Sequence, residues 1–152
     1  MHLGIREESD LKDALHKIDS IKSAAGHAYL LEEMAGPGLD LIIGGLRDPV
    51  FGPVLLLGIG GTIAEAIKDV SMRLAPIYPA DAAEMLAELK AKVLLEGWRG
   101  APAVDQQAVI RALLAVSDLL VGCPEILELD INPVRAFETG ILALDGLIVR
   151  QE

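Results

Sequence analysis

Aromatic residues are scarce: two phenylalanines, two tyrosines and one tryptophan make up 3% of the 152-residue chain. A core without large rings must be built from Leu, Ile, Val and Ala, and these dominate a hydrophobic fraction of 52%. One cysteine, Cys123, excludes an internal disulfide and suggests a reducing compartment. Basic residues are few, 13 Lys and Arg against 23 Asp and Glu, for a net charge of −10 and a pI near 4.7. That balance argues against nucleic acid or an anionic membrane as the main partner and is compatible with cation binding. The longest apolar run, near Val54 to Ile59, is too short and too glycine-rich to span a bilayer. The N-terminus lacks the charged-then-apolar pattern of a signal peptide, so a cytoplasmic location is expected. Repeats, low-complexity tracts and linkers are missing too, and a single domain over residues 1–152 is the default.

What is present centres on Glu128-Leu-Asp130-Ile-Asn132-Pro133 and its echo Leu144-Asp145-Gly146. From Glu128 to Ile131 polar and apolar residues alternate, the period of a strand with one buried face. Phe137-Glu138-Thr139-Gly140 reads as a turn, and Ile141 to Val149 as a returning strand. A hairpin centred between Glu138 and Thr139 sets residue i opposite residue 277 − i. Asn132 then faces Asp145, Leu129 faces Ile148 and Ile131 faces Gly146. Opposed residues share a face with Cβ atoms about 4.5–5.5 Å apart. Two oxygen ligands of one small cation sit about 3 Å apart when each metal–oxygen bond is about 2.1 Å, as for Mg²⁺. Short side chains on opposed positions can meet that spacing, and a one-residue slip would destroy it. The alternatives are that Asp130, Asn132 and Asp145 are a solvated sheet face, or that Asn132 turns its amide into the Pro133 bend.

Along the chain, Met1 to Ile5 is a short apolar start with no cap before it, as if the chain were entered partway through. Ser9 reads as an N-cap for a helix over Asp10 to Ala24, with Leu11, Leu15, Ile18 and Ile21 at helical spacing and Gly26 closing it. His16 and His27 read as surface or helix-end residues. Ala28 to Met34 reads as a strand, Ala35 to Gly38 as a turn, Leu39 to Leu46 as a strand, and Arg47 to Pro53 as a tight connection. Val54 to Leu57 reads as a strand buried on both faces. Gly58-Ile-Gly60-Gly61-Thr62 is a glycine-rich loop, suited to close approach of an anion, to a bend, or to close backbone packing. Ile63 to Leu74 is ambiguous between helix and strand. Asp81 to Leu95 reads as a helix with Ala82, Met85, Leu86 and Leu89 inward, and Trp98 in the following loop as an anchor. Asp105 caps a helix through Leu120, with Val109, Ala112, Leu113 and Val116 inward and Gly122 ending it. Short antiparallel strands with about three helices indicate an α+β domain.

The segments Gly38 to Gly44, Arg47-Asp-Pro-Val-Phe-Gly-Pro53, Gly58-Ile-Gly-Gly61, Glu65 to Ser71, Arg73-Leu-Ala-Pro76, Leu94 to Gly97, Arg99-Gly100 and Glu128 to Pro133, in order across essentially the whole chain, resemble the ATP-grasp region of the NDP-forming acyl-CoA synthetases. This is the ADP-forming acetate–CoA ligase family, related to the succinyl-CoA synthetase β subunit. The resemblance implies the second, C-terminal ATP-grasp subdomain, with a mostly antiparallel sheet. It implies a reaction in which a carboxylic acid, CoA and ATP give acyl-CoA, ADP and phosphate through an acyl phosphate and a phosphohistidine, with ATP and Mg²⁺ as cofactors. By position, Glu32, Glu33 and Met34 match the hinge strand that receives adenine and ribose. Asp40 matches a family glutamate. Gly60 and Gly61 match the loop near the phosphoryl-transfer centre, and Asn132 and Asp145 match the metal ligands with Asp130 as acidic neighbour.

The resemblance also implies partners. The family carries a first ATP-grasp subdomain upstream, with a phosphate-binding lysine and a His-Lys segment, together with a CoA-binding Rossmann domain and a ligase domain bearing the phosphorylated histidine. None of His2, His16 and His27 matches that histidine. The chain is therefore expected to be a fragment, a split gene product or a degenerate one. By itself it is expected to be inactive, and to self-associate through an exposed half-cleft. A non-catalytic nucleotide-binding or regulatory module, and an interaction domain that keeps only the fold, are the alternatives.

Overall fold

The structure, a computed structural model, describes residues 2–21, 28–61 and 68–151. They fall into two units, Met1–Gly36 and Pro37–Glu152.

The first unit holds helix α1, Glu8–Asp19. Its cap is Glu7, not Ser9. The Asp10 carboxylate reaches back to accept from the N–H groups of Arg6 and Glu7 at 2.9 and 3.3 Å, which starts the helix two residues early. Ser9 sits in the first turn and donates its hydroxyl to Glu7. The helix stops at Ser20, whose N–H donates to the His16 carbonyl, so it is shorter than the periodicity predicts. The expected closure at Ala24 to Gly26, and His27, lie outside the described residues. The strand expected over Ala28 to Met34 does not form: the segment runs without strand pairing. Apolar alternation creates a strand only where a neighbouring ladder takes up its N–H and C=O groups.

The second unit is an antiparallel sheet with helices on one face. The strands are β1 (Leu39–Asp48), β2 (Gly52–Ile59), β3 (Val70–Leu74), β4 (Ile126–Ala136), β5 (Ile141–Ala143) and β6 (Leu147–Arg150). Their order is β3-β2-β1-β4-β5, and β6 also pairs with β4. Helices α2 (Pro79–Glu88) and α3 (Gln106–Gly122) complete the unit. Leu41, Ile43, Leu55 and Leu57 meet Met85, Leu86, Leu89, Val109, Leu113 and Leu120 in one core. Each such side chain contributes about 1.5–3 kcal/mol by leaving water, and Leu113→Ala would cost about 2–5 kcal/mol with the cavity it leaves. The helix-facing positions of β1 and β2 are odd-numbered. The even ones, such as Val54 and Leu56, are only half-buried, and Leu46, Met72 and Leu74 are exposed. The expectation that β2 is buried on both faces therefore fails, because within this unit no second layer covers this side of the sheet among the described residues.

Polar side chains fix the connections. Asp48 accepts from the N–H groups of Val50 and Phe51, closing the β1–β2 turn. The Arg47 guanidinium donates to the carbonyls of Leu120, Cys123 and Ile126, where α3 has run out of intrahelical partners. The buried Ser117 hydroxyl accepts from the Ile77 N–H at 3.0 Å.

Helix α2 was expected to reach Leu95 but ends at Glu88. The buried Asp69 carboxylate takes the N–H groups of Lys90 and Ala91, both at 2.8 Å, and so pulls the chain out of the helix. A single 3₁₀ turn, Lys92–Leu94, follows. Trp98 is no anchor: it is half exposed, with the Arg99 guanidinium over its ring at 5.6 Å. Of the stretch from Ile63 to Leu74, residues 70–74 form β3, while residues 63–67, together with Thr62 of the glycine loop, lie outside the described residues.

Candidate functional site

The β4–β5–β6 hairpin keeps the register expected from its turn. Ala136 pairs with Ile141, Val134 with Ala143, Asp130 with Leu147 and Leu129 with Ile148, each pair summing to 277. Between them the Asn132 N–H donates to the Asp145 carbonyl at 3.2 Å, and the Leu144 N–H to the Pro133 carbonyl at 2.9 Å. Asn132 and Asp145 are thus opposed, and both are exposed.

On its other side β4 carries a bulge. Leu41 pairs with Val134 but Ile43 with Ile131, so Asn132 and Pro133 together oppose Ile42 alone. The extra residue switches the core positions of β4 from odd (Leu129, Ile131) to even (Val134, Ala136). The alternation expected for Glu128 to Ile131 thus holds locally and reverses past Pro133.

Asp130 pairs with Gly44, and a Cβ on Gly44 would stand 3.9 Å from Asp130 Oδ1. Its carboxylate therefore lies over the sheet face without helices. Asp145 Oδ1 accepts from the Gly146 N–H at 2.8 Å. Among the described residues no three His, Cys, Asp or Glu side chains gather as a metal group. A cation held here would need the Asn132 amide oxygen beside the carboxylates, a donor set of the hard-oxygen kind that Mg²⁺ takes. Asp130 and Asp145 also border an open cavity of about 650 Å³, walled mostly by apolar residues of α3, β4 and the return arm, such as Leu119, Ile131 and Leu147.

Asp40, also in β1, is clasped by Arg135 of β4: Nε donates to Oδ1 at 2.8 Å and a terminal nitrogen to Oδ2 at 3.1 Å. The ion pair raises the Arg135 pKa above the usual guanidinium value. Arg135 escaped the sequence reading. Strand order supplies the signal for it, since the two residues are register partners.

Gly60 donates its N–H to the Asp40 carbonyl at 2.7 Å, and a Cβ there would lie 2.9 Å from the Asp40 backbone. Glycine is required there by the close packing of two backbone segments, the start of β1 and the end of β2. Gly61 has φ +81° with open space around it. Glu32, Glu33 and Met34 belong to the first unit, exposed and outside regular structure.

A second feature missed by the sequence lies at the edge of the hairpin. Asp105 caps α3, as expected, through Oδ1 to the Ala108 N–H at 2.9 Å. Its Oδ2 also accepts from the Gly140 N–H at 3.0 Å. These bonds hold its carboxyl below the usual range.

Comparison with known proteins agrees with this architecture. A family model described as an ATP-grasp domain matches residues 1–149. The chain is 41% identical over 150 residues to an ADP-forming acetate–CoA ligase I of Archaeoglobus fulgidus, across 95% of this chain and 22% of that protein. It is 41% identical over 120 residues to the beta subunit of an ADP-forming acetate–CoA ligase I of Pyrococcus furiosus, across 79% of this chain and 52% of that one. It superposes with a TM-score of 0.86 and 40% identity on a Ca. Korarchaeum cryptofilum dinucleotide forming acetyl-coenzyme A synthetase 1 in complex with coenzyme A and Mg-AMPPCP, covering 99% of this chain and 67% of that one. It thus spans about a fifth of the first curated relative and about half of the second. The chain belongs to the ATP-grasp family, in the branch found in ADP-forming acid–CoA ligases.

Proposed function

We propose that this chain is the ATP- and Mg²⁺-binding part of an ADP-forming acid–CoA ligase. It would act through an acyl phosphate and a phosphohistidine once joined to the regions its relatives carry. The observation that supports this best is the opposition of Asn132 and Asp145 in an unbroken register, with the Asp130 carboxylate on the neighbouring sheet position. The donor types fit Mg²⁺, and Asp145 has one carboxylate oxygen bound to a backbone N–H and a second with no hydrogen bond among the described residues. When bound, Mg²⁺ neutralises charge on phosphate oxygens during phosphoryl transfer.

Glu32, Glu33 and Met34 are assigned to the base and ribose on the strength of the sequence match. Asp40 acts through its pair with Arg135, which holds the carboxylate in place. Gly60 keeps β1 and the end of β2 in contact, and Gly61, free of a Cβ, lets the backbone approach the phosphoryl groups. The remaining ATP-grasp, CoA-binding and histidine-bearing regions are the partners, in one polypeptide or in a separate subunit.

The test is calorimetric titration with Mg·ATP, in the chain alone and with the upstream ATP-grasp region supplied. Asp145→Asn keeps shape and removes one charge from the cation site, so it should weaken Mg·ATP binding and leave the thermal melt in place. An unchanged Mg²⁺ dependence would reject Asp145 as a ligand.

A further inference from the structure

The turn that closes the β4–β5 hairpin is tied to the start of α3 through one residue. The Gly140 N–H donates to Asp105 Oδ2 at 3.0 Å, and the Asp105 N–H donates to the Phe137 carbonyl at 2.8 Å. Within the turn, the Phe137 N–H donates to the Gly140 carbonyl at 3.1 Å. Asp105 therefore grips both ends of the turn while its Oδ1 caps Ala108. The Arg111 guanidinium stands 3.9 Å from Oδ2 and is largely exposed, so it adds little.

The grip has leverage. Strand β5 is three residues long and, among the described residues, has a ladder on one side only, with β4. Its register is inherited from the turn, and the same sum of 277 runs outward to the Asn132–Asp145 pair. A one-residue slip at the turn would change what faces Asn132 and move Asp145 to the other face of the sheet.

We propose that Asp105 is a positioning residue for the Asn132–Asp145 pair: its second carboxylate oxygen, by holding Gly140, fixes the register that opposes them. The inference rests on the reading of these two residues as cation ligands. It separates two roles of one side chain, the helix cap on Oδ1 and the turn latch on Oδ2.

Asp105→Asn separates them experimentally. Asn caps helices as well as Asp does, so the bond to Ala108 survives. The amide NH₂ in the place of Oδ2 cannot accept from Gly140. The experiment is amide hydrogen exchange by NMR on the 152-residue chain, with Mn²⁺ titration read from paramagnetic broadening at Asn132 and Asp145, and thermal melting in parallel. In Asp105→Asn the Asn132 and Leu144 amides should exchange about tenfold faster, while those of Ile43 and Val109 and the melt stay near wild type. The Mn²⁺ concentration needed for half-broadening should rise about tenfold. Asp105→Ala should lower the melt as well. Wild-type exchange and wild-type Mn²⁺ affinity in Asp105→Asn would overturn the inference and leave Asp105 a helix cap alone. If the wild-type chain shows no broadening at Asn132 and Asp145, the cation reading itself fails and takes this one with it. Broadening in the wild type with no change in the variant sinks only the latch.

Discussion

Asp40 and Arg135 face each other across β1 and β4 and join by two hydrogen bonds of 2.8 and 3.1 Å, each side chain about a quarter exposed. A carboxylate committed on both oxygens supports the fold as well as any ligand. Asp40→Asn and Arg135→Ala should each destabilise the chain by about 1–3 kcal/mol in urea unfolding, the range for hydrogen bonds to charged groups. A double mutant should cost clearly less than the two single changes added together, because they break the same contact. Additive effects would mean that the pair is not coupled.

Two glycines should respond in opposite directions. At Gly60 a Cβ would meet the Asp40 backbone at 2.9 Å, and backbone cannot swing aside as a side chain can. Gly60→Ala should cost about 1–3 kcal/mol, as overpacking does. Gly122, the last residue of α3, has nothing within 4 Å of an added Cβ. Gly122→Ala should stabilise by about 0.4–1 kcal/mol, by restricting the unfolded chain. Equal melting shifts for the two variants would contradict the packing account.

Glu88 carries the clearest pH signature. The Arg73 guanidinium, first, and the Ser71 hydroxyl, second, hold its carboxyl down from 4.5 to about 2. A depressed carboxyl stabilises the fold above its unfolded pKa and loses that contribution as pH falls through the folded value. The wild-type melt should therefore fall between pH 4.5 and 2 more steeply than that of Glu88→Gln. Parallel melting curves over that window would rule Glu88 out as the source.

The 152-residue chain alone should form no acyl-CoA from acetate, CoA and Mg·ATP. The chemistry proposed for it needs a phosphorylated histidine, and by the family resemblance none of His2, His16 and His27 stands in that position. Turnover by the purified chain, scaling with its concentration and abolished by Asp145→Asn, would show that the chain is sufficient.

The hairpin was legible from sequence because a turn and two flanking strands obey arithmetic among near neighbours. Once Glu138 and Thr139 are placed at the centre, the pairing of Leu129 with Ile148 follows. Helix α3 was legible for the same kind of reason: Asp105, the inward Val109, Leu113 and Val116, and Gly122 all lie within one stretch. The misses are non-local. Helix α2 ends where Asp69, about twenty residues upstream, takes the N–H groups of Lys90 and Ala91. The bulge at Asn132–Pro133 appears only against β1, where Ile42 stands 90 residues before Asn132 in the chain. The strand expected at Ala28 to Met34 depends on a ladder that its own residues cannot supply.

The extra residue at Asn132–Pro133 also works as a constraint on inheritance. Against β1 the strand is one residue too long, yet against its own returning arm it is in step, because Leu144 to Gly146 keep the count. Losing one residue from β4 there would restore simple alternation against β1 and leave Val134 facing Leu41, but it would put the return arm one residue out of step with Asn132, unless that arm lost its counterpart in the same lineage. Length changes on the two arms should therefore be inherited together or not at all, much as one frameshift is tolerated only with another that restores the frame.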